Sequence, residues 1–453
     1  MNRAVSAESG PRPAEQPFLL SKTRDVSARG DVRPSTPASP GTLADDPLLK
    51  AFPDIPSGPA FIETAAGRLK DTAMFSVLAL RPDRATGSEP APASETLRAY
   101  RIKAAQVVAQ VADDEGGFWG IMAAETLCCV LPGRDQASGV AAAKTVQSRL
   151  SANDGQSLTI GIAAFPCLRY APADVIGNAG KALNHAAFFG PGGRACFDAV
   201  SLNISGDKHY DAGEIDAAIA EYRNALRLDS RNVNVLNSLG VCFGVRQEYD
   251  KALTAFSAAA KFDAQEVLAL YNAGLVHLLR DDTPTALKFW LQAAPHGREV
   301  FELNFQIGRG LLETHQVAKA QAYAQRAAAL RPESGPAQRL LGDALLAQRL
   351  TDQAIAPYKS ALRINPNDAA ALSGLARCYE LRNENLEIAL AFCRQSVEIA
   401  PENSRTHLRL GRLLAKAEQL EDALQAFRQA ETLGEDARGM ILSVEERLIG
   451  KAS

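Results

Sequence analysis

The sequence predicts a multidomain protein in which an α/β sandwich is followed by an all-α superhelix. Two observations predict this fold class. Between residues 58 and 198, apolar runs of strand length alternate with segments of helical spacing. From residue 199 onward, small residues recur at steps of 34 positions, which is typical of stacked helical repeats. The 453 residues are enough for two or three domains, each with its own core.

The first segment, residues 1–57, is predicted to be a disordered, proline-rich arm. Ten of the 24 prolines lie within the first 59 residues, where aromatic residues are scarce. Proline fixes φ and removes a backbone donor, and a segment with so little apolar surface cannot offset the entropy lost on ordering. The sequence indicates no function for this arm.

The next segment, residues 58–198, is predicted to form a mixed sheet with helices packed against it. In the helix over 95–112, Leu97, Ala104, Val108 and Val111 share one face. The predicted elements follow in this order: a strand at 75–80, a helix at 95–112, a hairpin at 118–133, a helix at 137–150, a strand at 158–165, a helix ended by Gly190 and a strand in RACFDAV.

Charge and cysteine usage exclude several classes of protein. The 49 basic and 52 acidic residues nearly balance, so no global field indicates a nucleic-acid partner. The seven cysteines lack CxxC spacing, and Cys128 and Cys129 are expected to be small buried hydrophobes on one strand. The N-terminus lacks a signal peptide's apolar stretch, and nowhere do eighteen apolar residues run together. We therefore expect a cytoplasmic protein without membrane insertion.

The second half repeats itself in three kinds of residue. The small residues are Gly206, Gly240, Gly274, Gly308, Gly342, Ala376 and Gly411. The alanines that follow them are Ala218, Ala252, Ala286, Ala320, Ala354, Ala389 and Ala423. The bulky residues four positions further on are Tyr222, Phe256, Trp290, Tyr358 and Phe427. This pattern resembles the tetratricopeptide repeat (TPR), seven times over residues 199–434, with residues 435–453 as a capping helix.

The physical logic of such a repeat explains the pattern. Small residues let two antiparallel helices approach closely, and the aromatic residue is expected to fill the space against the next pair. One pair cannot bury its apolar face alone, so the pairs must stack into a superhelix.

The hairpin FWGIMAAETLCCVLPG raises the question of catalysis. It resembles the hairpin of GGDEF domains, the diguanylate cyclase family, in which the turn carries Gly-Gly-Asp/Glu-Glu-Phe. The stretches LTIGIAAFP and NAGKALNHAAFFG also resemble segments of that family. The resemblance covers residues 58–198 and implies a nucleotidyl cyclase-like fold. The five positions that correspond to the signature are Ala123, Ala124, Glu125, Thr126 and Leu127.

The departures from the family imply an inactive domain. The two alanines add Cβ atoms where the family's glycines let the backbone approach a triphosphate. Glu125 keeps one metal-binding carboxylate, but the other corresponds to Arg81, whose positive charge would repel a divalent cation. Asp83, two residues further on, is an alternative carboxylate. The phosphate-binding Lys corresponds to Ala187, and the inhibitory Arg-x-x-Asp motif is absent. We therefore expect no catalytic residue, metal or cofactor in this domain.

The repeats are predicted to bind a protein partner on the inner faces of their helices, as TPR arrays do. Arginine can hold a carboxylate in a bidentate fork, so a partner with an acidic segment or a free C-terminus fits the later repeats. Asp343 and Glu380 lie among these cations, so an ordinary mixed surface is the alternative. The predicted groove residues are Asn203, Asn234, Asn237, Tyr271, Asn272 and Phe305 in the earlier repeats, and Arg309, Arg339, Arg377, Arg405, Arg412 and Lys416 in the later ones.

The sequence therefore predicts a non-enzymatic scaffold for bacterial signalling, in which an inactive GGDEF-like module is fused to TPR repeats. The principal alternative is a regulator whose first domain still responds to a nucleotide or cyclic dinucleotide. An active cyclase is a third possibility.

Overall fold

The computed structural model describes residues 18–19, 47–83, 95–123, 125–151 and 157–452. These residues form two compact units. The first unit contains the described residues from 47 to 264, and the second contains residues 18–19 and 265–452.

The first unit contains a five-stranded mixed sheet. The strands are β1 (Phe75–Pro82), β2 (Phe118–Ala123), β3 (Thr126–Pro132), β4 (Leu158–Phe165) and β5 (Arg194–Cys196). Their order across the sheet is β2-β3-β1-β4-β5, with β1 antiparallel to β3 and β4, and β4 parallel to β5. Leu78, at the centre of β1, lies opposite Cys129 on one side and Ile162 on the other. The predicted strands and hairpin are therefore present.

Helices cover both faces of this sheet. They are α1 (Pro47–Ala51), α2 (Pro59–Leu69), α3 (Glu95–Asp114), α4 (Gln136–Ser151) and α5 (Pro172–Ala186). Val108 of α3 and Val146 of α4 pack in one core with Leu78 and Leu80. Helix α5 packs on the opposite face, against β4 and β1. Because strand residues alternate between faces, Cys128 and Cys129 enter different layers, and both are buried as expected.

The folded part begins earlier than the boundary expected at residue 57. Leu48 is buried in the core beside α3, and the Phe52 ring meets the Trp119 ring edge-on at 5.1 Å. The Ile121 N–H donates to the Pro56 carbonyl at 3.1 Å. Two apolar side chains and one backbone bond thus hold this stretch, although its average composition is that of an arm. Apart from Phe18, Leu19 and residues 47–57, the predicted arm lies outside the described residues.

Seven antiparallel helix pairs follow in the described part of the chain. One further helix, α20 (Arg438–Ala452), packs on the last pair. The first helices of the pairs are α6 (Ala199–Asp211), α8 (Val233–Val245), α10 (Val267–Leu279), α12 (Phe301–Glu313), α14 (Gly335–Ala347), α16 (Ala369–Arg382) and α18 (Ser404–Lys416). The second helices are α7 (Ile215–Leu228), α9 (Tyr249–Phe262), α11 (Thr283–Ala293), α13 (Val317–Leu330), α15 (Thr351–Ile364), α17 (Leu386–Ile399) and α19 (Leu420–Thr432). The first two pairs belong to the first unit and the other five to the second.

The periodic glycines leave room for the periodic aromatic rings. A Cβ atom at Gly274 would come within 2.3 Å of the Trp290 indole, and one at Gly240 within 2.5 Å of the Phe256 ring. Each ring therefore lies on the glycine of its own pair, whereas the sequence pattern suggested contact with the next pair. The Tyr358 ring contacts both its own pair and the next one. A Cβ atom at Gly342 of its own pair would come within 2.8 Å of the ring, and one at Gly374 of the next pair within 2.4 Å.

Candidate functional site

Helix α5 of the α/β part joins the first helix pair within the first unit. The Lys181 ammonium lies 2.7 and 2.9 Å from the two carboxylate oxygens of Glu221 on α7. The His185 Nδ1 lies 3.3 Å from the Ser201 hydroxyl and from Asp198, which caps α6. The end of a repeat stack needs a cover for its apolar face. The α/β part provides that cover for the first pair.

The hairpin turn contains the positions that correspond to the GGDEF signature. Glu125 is exposed in the turn, and Ala123 is exposed at the end of β2. Ala124 lies outside the described residues. Arg81 is half-buried near the end of β1, opposite Thr159. Across the described ranges, no three His, Cys, Asp or Glu side chains come together in an arrangement that could hold a metal ion.

A second cation lies near Arg81. Burial lowers the pKa of Lys208 on α6, and the positive charge of Arg81 lowers it further. Two positive charges therefore lie near the position where the family resemblance expects a metal-binding carboxylate. Such a pair disfavours a divalent cation there.

Asp83 was the alternative carboxylate, and its oxygens accept hydrogen bonds from other parts of the chain. The Ser157 hydroxyl and the Gly192 N–H donate to Oδ2, both at 2.7 Å, and the Thr159 hydroxyl donates to Oδ1 at 2.5 Å. These bonds tie the end of β1 to the start of β4 and to the loop before β5. Asp83 thus has a structural role in the described part of the chain.

We expect Asp83→Ala to lower the free energy of unfolding by about 2–3 kcal/mol, because three donors lose a charged acceptor. Urea denaturation of the full chain measures this. Asp71→Ala is the matched control, since Asp71 is exposed in the turn before β1 and should change stability by less than about 0.5 kcal/mol. If magnesium raised the unfolding temperature of the wild type but not that of Asp83→Ala, Asp83 would be a metal ligand instead.

The twelve predicted groove residues all lie on first helices of the pairs. Asn203 on α6 and Asn237 on α8 are buried in the first unit. Tyr271 and Asn272 are buried on α10 in the second unit. The six cations lie on α12 to α18 of the same unit, and none of them is buried. The register of the repeat thus places these residues on one helix of each pair, and their role in binding stays a prediction.

The predicted basic groove is partly neutralised. Four of the six cations lie beside carboxylates: Arg309 is 3.6 Å from Glu313, Arg339 is 3.5 Å from Asp368, Arg377 is 2.7 Å from Glu380 and Arg405 is 3.5 Å from Glu435. Arg412 and Lys416 are exposed, and within the described residues neither has an acidic partner. The excess positive charge is therefore concentrated on α18.

Helix α18 presents a cationic face. Its thirteen residues include four cations and no carboxylate. Arg405, Arg409, Arg412 and Lys416 follow at steps of four, three and four residues, which places them on one side of the helix. Arg409 donates to the Ser373 carbonyl of α16 at 2.8 Å, so this side faces the first helix of the preceding pair. Sequence analysis did not single out Arg409.

Asn272 forms a second candidate site, within the second unit. Its Nδ2 donates to the Leu19 carbonyl at 2.7 Å, and its Oδ1 accepts from the Leu19 N–H at 2.8 Å. The Asn272 side chain is fully buried, so losing both partners would leave an amide that costs about 1–3 kcal/mol to desolvate. We refer to Asn272 with the bound Leu19 backbone as the Asn272 clamp.

The surroundings of the clamp hold Asn272 in place. The Trp290 indole N–H donates to the Tyr271 carbonyl at 3.0 Å, and the two rings stack at 6.4 Å. Burial raises the pKa of the Tyr271 hydroxyl, with Glu302 acting in the same direction and a hydrogen bond with Gln306 and the charge of Arg309 opposing it. Sequence analysis identified Tyr271 and Asn272 but missed Leu19. The available signal was Phe18-Leu19-Leu20, the only run of three apolar residues among the first 46.

Comparison with known families identifies the repeats. The family described as "TPR repeat" matches residues 206–244, and the one described as "Tetratricopeptide repeat" matches residues 305–369 and 351–404. The chain therefore contains tetratricopeptide repeats, as predicted. All three matched ranges lie outside residues 58–198. The resemblance of that segment to GGDEF domains therefore stays a prediction. No helix in the described ranges has the length and apolar character needed to cross a membrane.

Several curated proteins are similar over part of their length. The CTR9 homolog of Arabidopsis thaliana is 25% identical over 256 residues, which is 52% of this chain and 22% of that protein. The Hsp70-Hsp90 organizing protein of Triticum aestivum is 21% identical over 239 residues, which is 51% of this chain and 40% of that protein. The chain thus spans less than half the length of these relatives.

Solved repeat structures are also similar. YrrB, described as a TPR protein with an unusual peptide-binding site, is 21% identical with a TM-score of 0.39, covering 44% of this chain and 97% of that one. Pseudomonas aeruginosa pilF is 18% identical with a TM-score of 0.40, and the match covers 48% of this chain and 97% of that one.

Proposed function

We propose that this protein is an adaptor that binds a protein partner through the first helices of its repeats. Tetratricopeptide repeats typically serve as protein-interaction adaptors. The observation that carries the proposal lies on α18, where Arg412 and Lys416 are exposed and have no acidic partner among the described residues. Two exposed like charges of this kind favour a partner of opposite charge.

The chemistry of this face defines the partner. The Arg412 guanidinium can hold a carboxylate in a bidentate fork, and the Lys416 ammonium adds a point charge one turn further on. Arg412 and Lys416 can bind a partner without breaking an ion pair within the chain. Arg377, in contrast, is paired with Glu380. The fitting ligand is an acidic peptide segment, with or without a free C-terminal carboxylate.

The α/β part serves this adaptor as a catalytically inactive, GGDEF-like docking module that caps the repeats. The positive charge of Arg81 supports the inactive state, because a cation at this position disfavours a metal ion. The three hydrogen bonds that Asp83 accepts support it as well. The contact of Lys181 with Glu221 supports the capping role.

Reversing the charge of the α18 face tests the proposal. The probe is a labelled peptide with four consecutive glutamates and a free C-terminus, titrated with the full chain by fluorescence anisotropy. We expect the double variant Arg412→Glu, Lys416→Glu to bind about tenfold more weakly, because two attractive charges become repulsive. The wild-type affinity should also fall as salt is added.

A matched control separates the local face from net charge. Lys359 and Arg363 on α15 have the same spacing of four residues, and both are exposed on a second helix. Lys359→Glu, Arg363→Glu changes net charge by the same amount and should bind the peptide within about twofold of wild type. Equal weakening by the two double variants, with helicity unchanged, would contradict a binding face on α18.

A further inference from the structure

Part of the chain's own N-terminal region is bound to the second unit. Leu19 exchanges two hydrogen bonds with the side chain of Asn272, although 253 residues separate them in the sequence. Phe18 and Leu19 are both half-buried. This short segment is therefore seated on α10 in the manner of a ligand.

Both hydrogen bonds between Asn272 and Leu19 involve backbone atoms of Leu19. An amide side chain can donate and accept at once, so it pairs with the N–H and C=O of one residue as a neighbouring strand would. Backbone bonds of this kind hold any extended segment, and the side-chain surroundings then select its sequence. The bonds to Leu19 thus indicate a site for extended peptide in general.

The helix that carries Asn272 is apolar. Helix α10 contains no Asp, Glu, Lys or Arg, and most of its residues are buried. The two seated residues are a phenylalanine and a leucine. This site therefore differs in chemistry from the cationic face of α18, which favours carboxylates.

We propose that the Asn272 clamp is a binding site for an extended peptide with two adjacent large apolar side chains, and that Phe18 and Leu19 are its internal competitor. The proposal rests on the adaptor function and deepens it. A partner brings its own apolar pair to α10, where it replaces the Phe18–Leu19 segment and pairs with the same amide of Asn272.

Tethering makes the internal competitor effective. A ligand on the same chain acts at an effective concentration on the order of millimolar when its connection can span the distance. An external peptide of equal intrinsic affinity then binds the intact chain only weakly. Partner binding at α10 is consequently regulated by release of the Phe18–Leu19 segment.

A peptide in trans tests this competition. The probe is a labelled synthetic peptide of residues 12–24, RPAEQPFLLSKTR, titrated with the full chain. Leu19→Pro in the protein removes the N–H that donates to Asn272, so the internal segment loses that hydrogen bond. We expect this variant to bind the probe at least tenfold more tightly than the wild type does. Equal affinity of the two chains, or no binding to either, would overturn the proposal.

A modified probe and a second variant test whether the site recognises backbone atoms. A probe whose leucine at the position of Leu19 is N-methylated lacks the same donor and should bind the Leu19→Pro chain at least tenfold more weakly. Asn272→Ala introduced together with Leu19→Pro should weaken the unmodified probe to a similar extent. A scrambled probe should not bind. If the N-methylated probe bound as tightly as the unmodified one, the Asn272 clamp would not be the site.

The two proposals can fail separately. The apolar probe should bind with little dependence on salt, whereas the acidic peptide for α18 should bind more weakly as salt rises. Charge reversal at Arg412 and Lys416 should leave the apolar probe unaffected. Displacement of the apolar probe by the acidic peptide would contradict two chemically distinct sites and overturn the assignment of α10 to apolar segments.

Discussion

Trp290→Ala is expected to lower the free energy of unfolding by about 3–5 kcal/mol, because a fully buried indole is lost and a cavity remains. The ring fills the space that Gly274 leaves between α10 and α11, and its N–H satisfies the Tyr271 carbonyl. In a stack of repeats each pair contacts its neighbours, so weakening one pair should also broaden the transition or split it into two. Urea denaturation followed by circular dichroism measures both effects.

Leu291→Ala is the control for this prediction. Leu291 follows Trp290 on α11 but is exposed, so its truncation should cost less than about 1 kcal/mol. The Trp290 variant should also bind the apolar probe more weakly, because Tyr271 and Asn272 are neighbours on α10. If Trp290→Ala cost no more than Leu291→Ala, the glycine–aromatic contact would not be a main source of stability.

The repeat half of the fold could be predicted because its contacts have a fixed spacing. A glycine and a ring touch within most of the helix pairs. Because the same contact recurs in successive pairs, the glycines recur at steps of 34 residues, and these steps can be counted in the sequence. The folded stretch before residue 57 could not be predicted in this way. Leu48 and Phe52 belong to a short apolar stretch within a proline-rich segment, and their burial depends on partners in α3 and β2.

The helices that carry the predicted groove residues could be assigned from the sequence, but the pairing of their charges could not. Helical register placed the cations on first helices, since a repeat assigns each position to one face. Their neutralisation depends on residues from other segments: Asp368 begins the next repeat beside Arg339, and Glu435 precedes α20 beside Arg405. Periodicity carries no information on such contacts. The pairing of Leu19 with Asn272 was still less accessible, because it joins distant segments through backbone atoms.

The sheet contains a glycine whose role becomes clear only from packing. Gly161 lies in the strand LTIGIAAF, one of the stretches that resemble GGDEF domains. A Cβ atom there would come within 2.0 Å of the Leu183 amide nitrogen and 2.3 Å of the Ala179 carbonyl oxygen, both in the backbone of α5. The glycine therefore lets the helix lie directly on β4. This part of the resemblance reflects close packing and requires no nucleotide.

Gly161→Ala is accordingly expected to lower the free energy of unfolding by at least about 3 kcal/mol, since a helix backbone cannot move aside as a side chain can. Displacing α5 would also separate Lys181 from Glu221, so the junction with the first helix pair should loosen and exchange amide hydrogens faster. Gly177→Ala is the control on α5 itself. A Cβ at Gly177 meets nothing within 4 Å, and alanine is the better helix former, so this variant should gain about 0.5–1 kcal/mol. Opposite signs for the two Gly→Ala substitutions would establish that helix α5 is seated through Gly161, and a small effect at both positions would refute it.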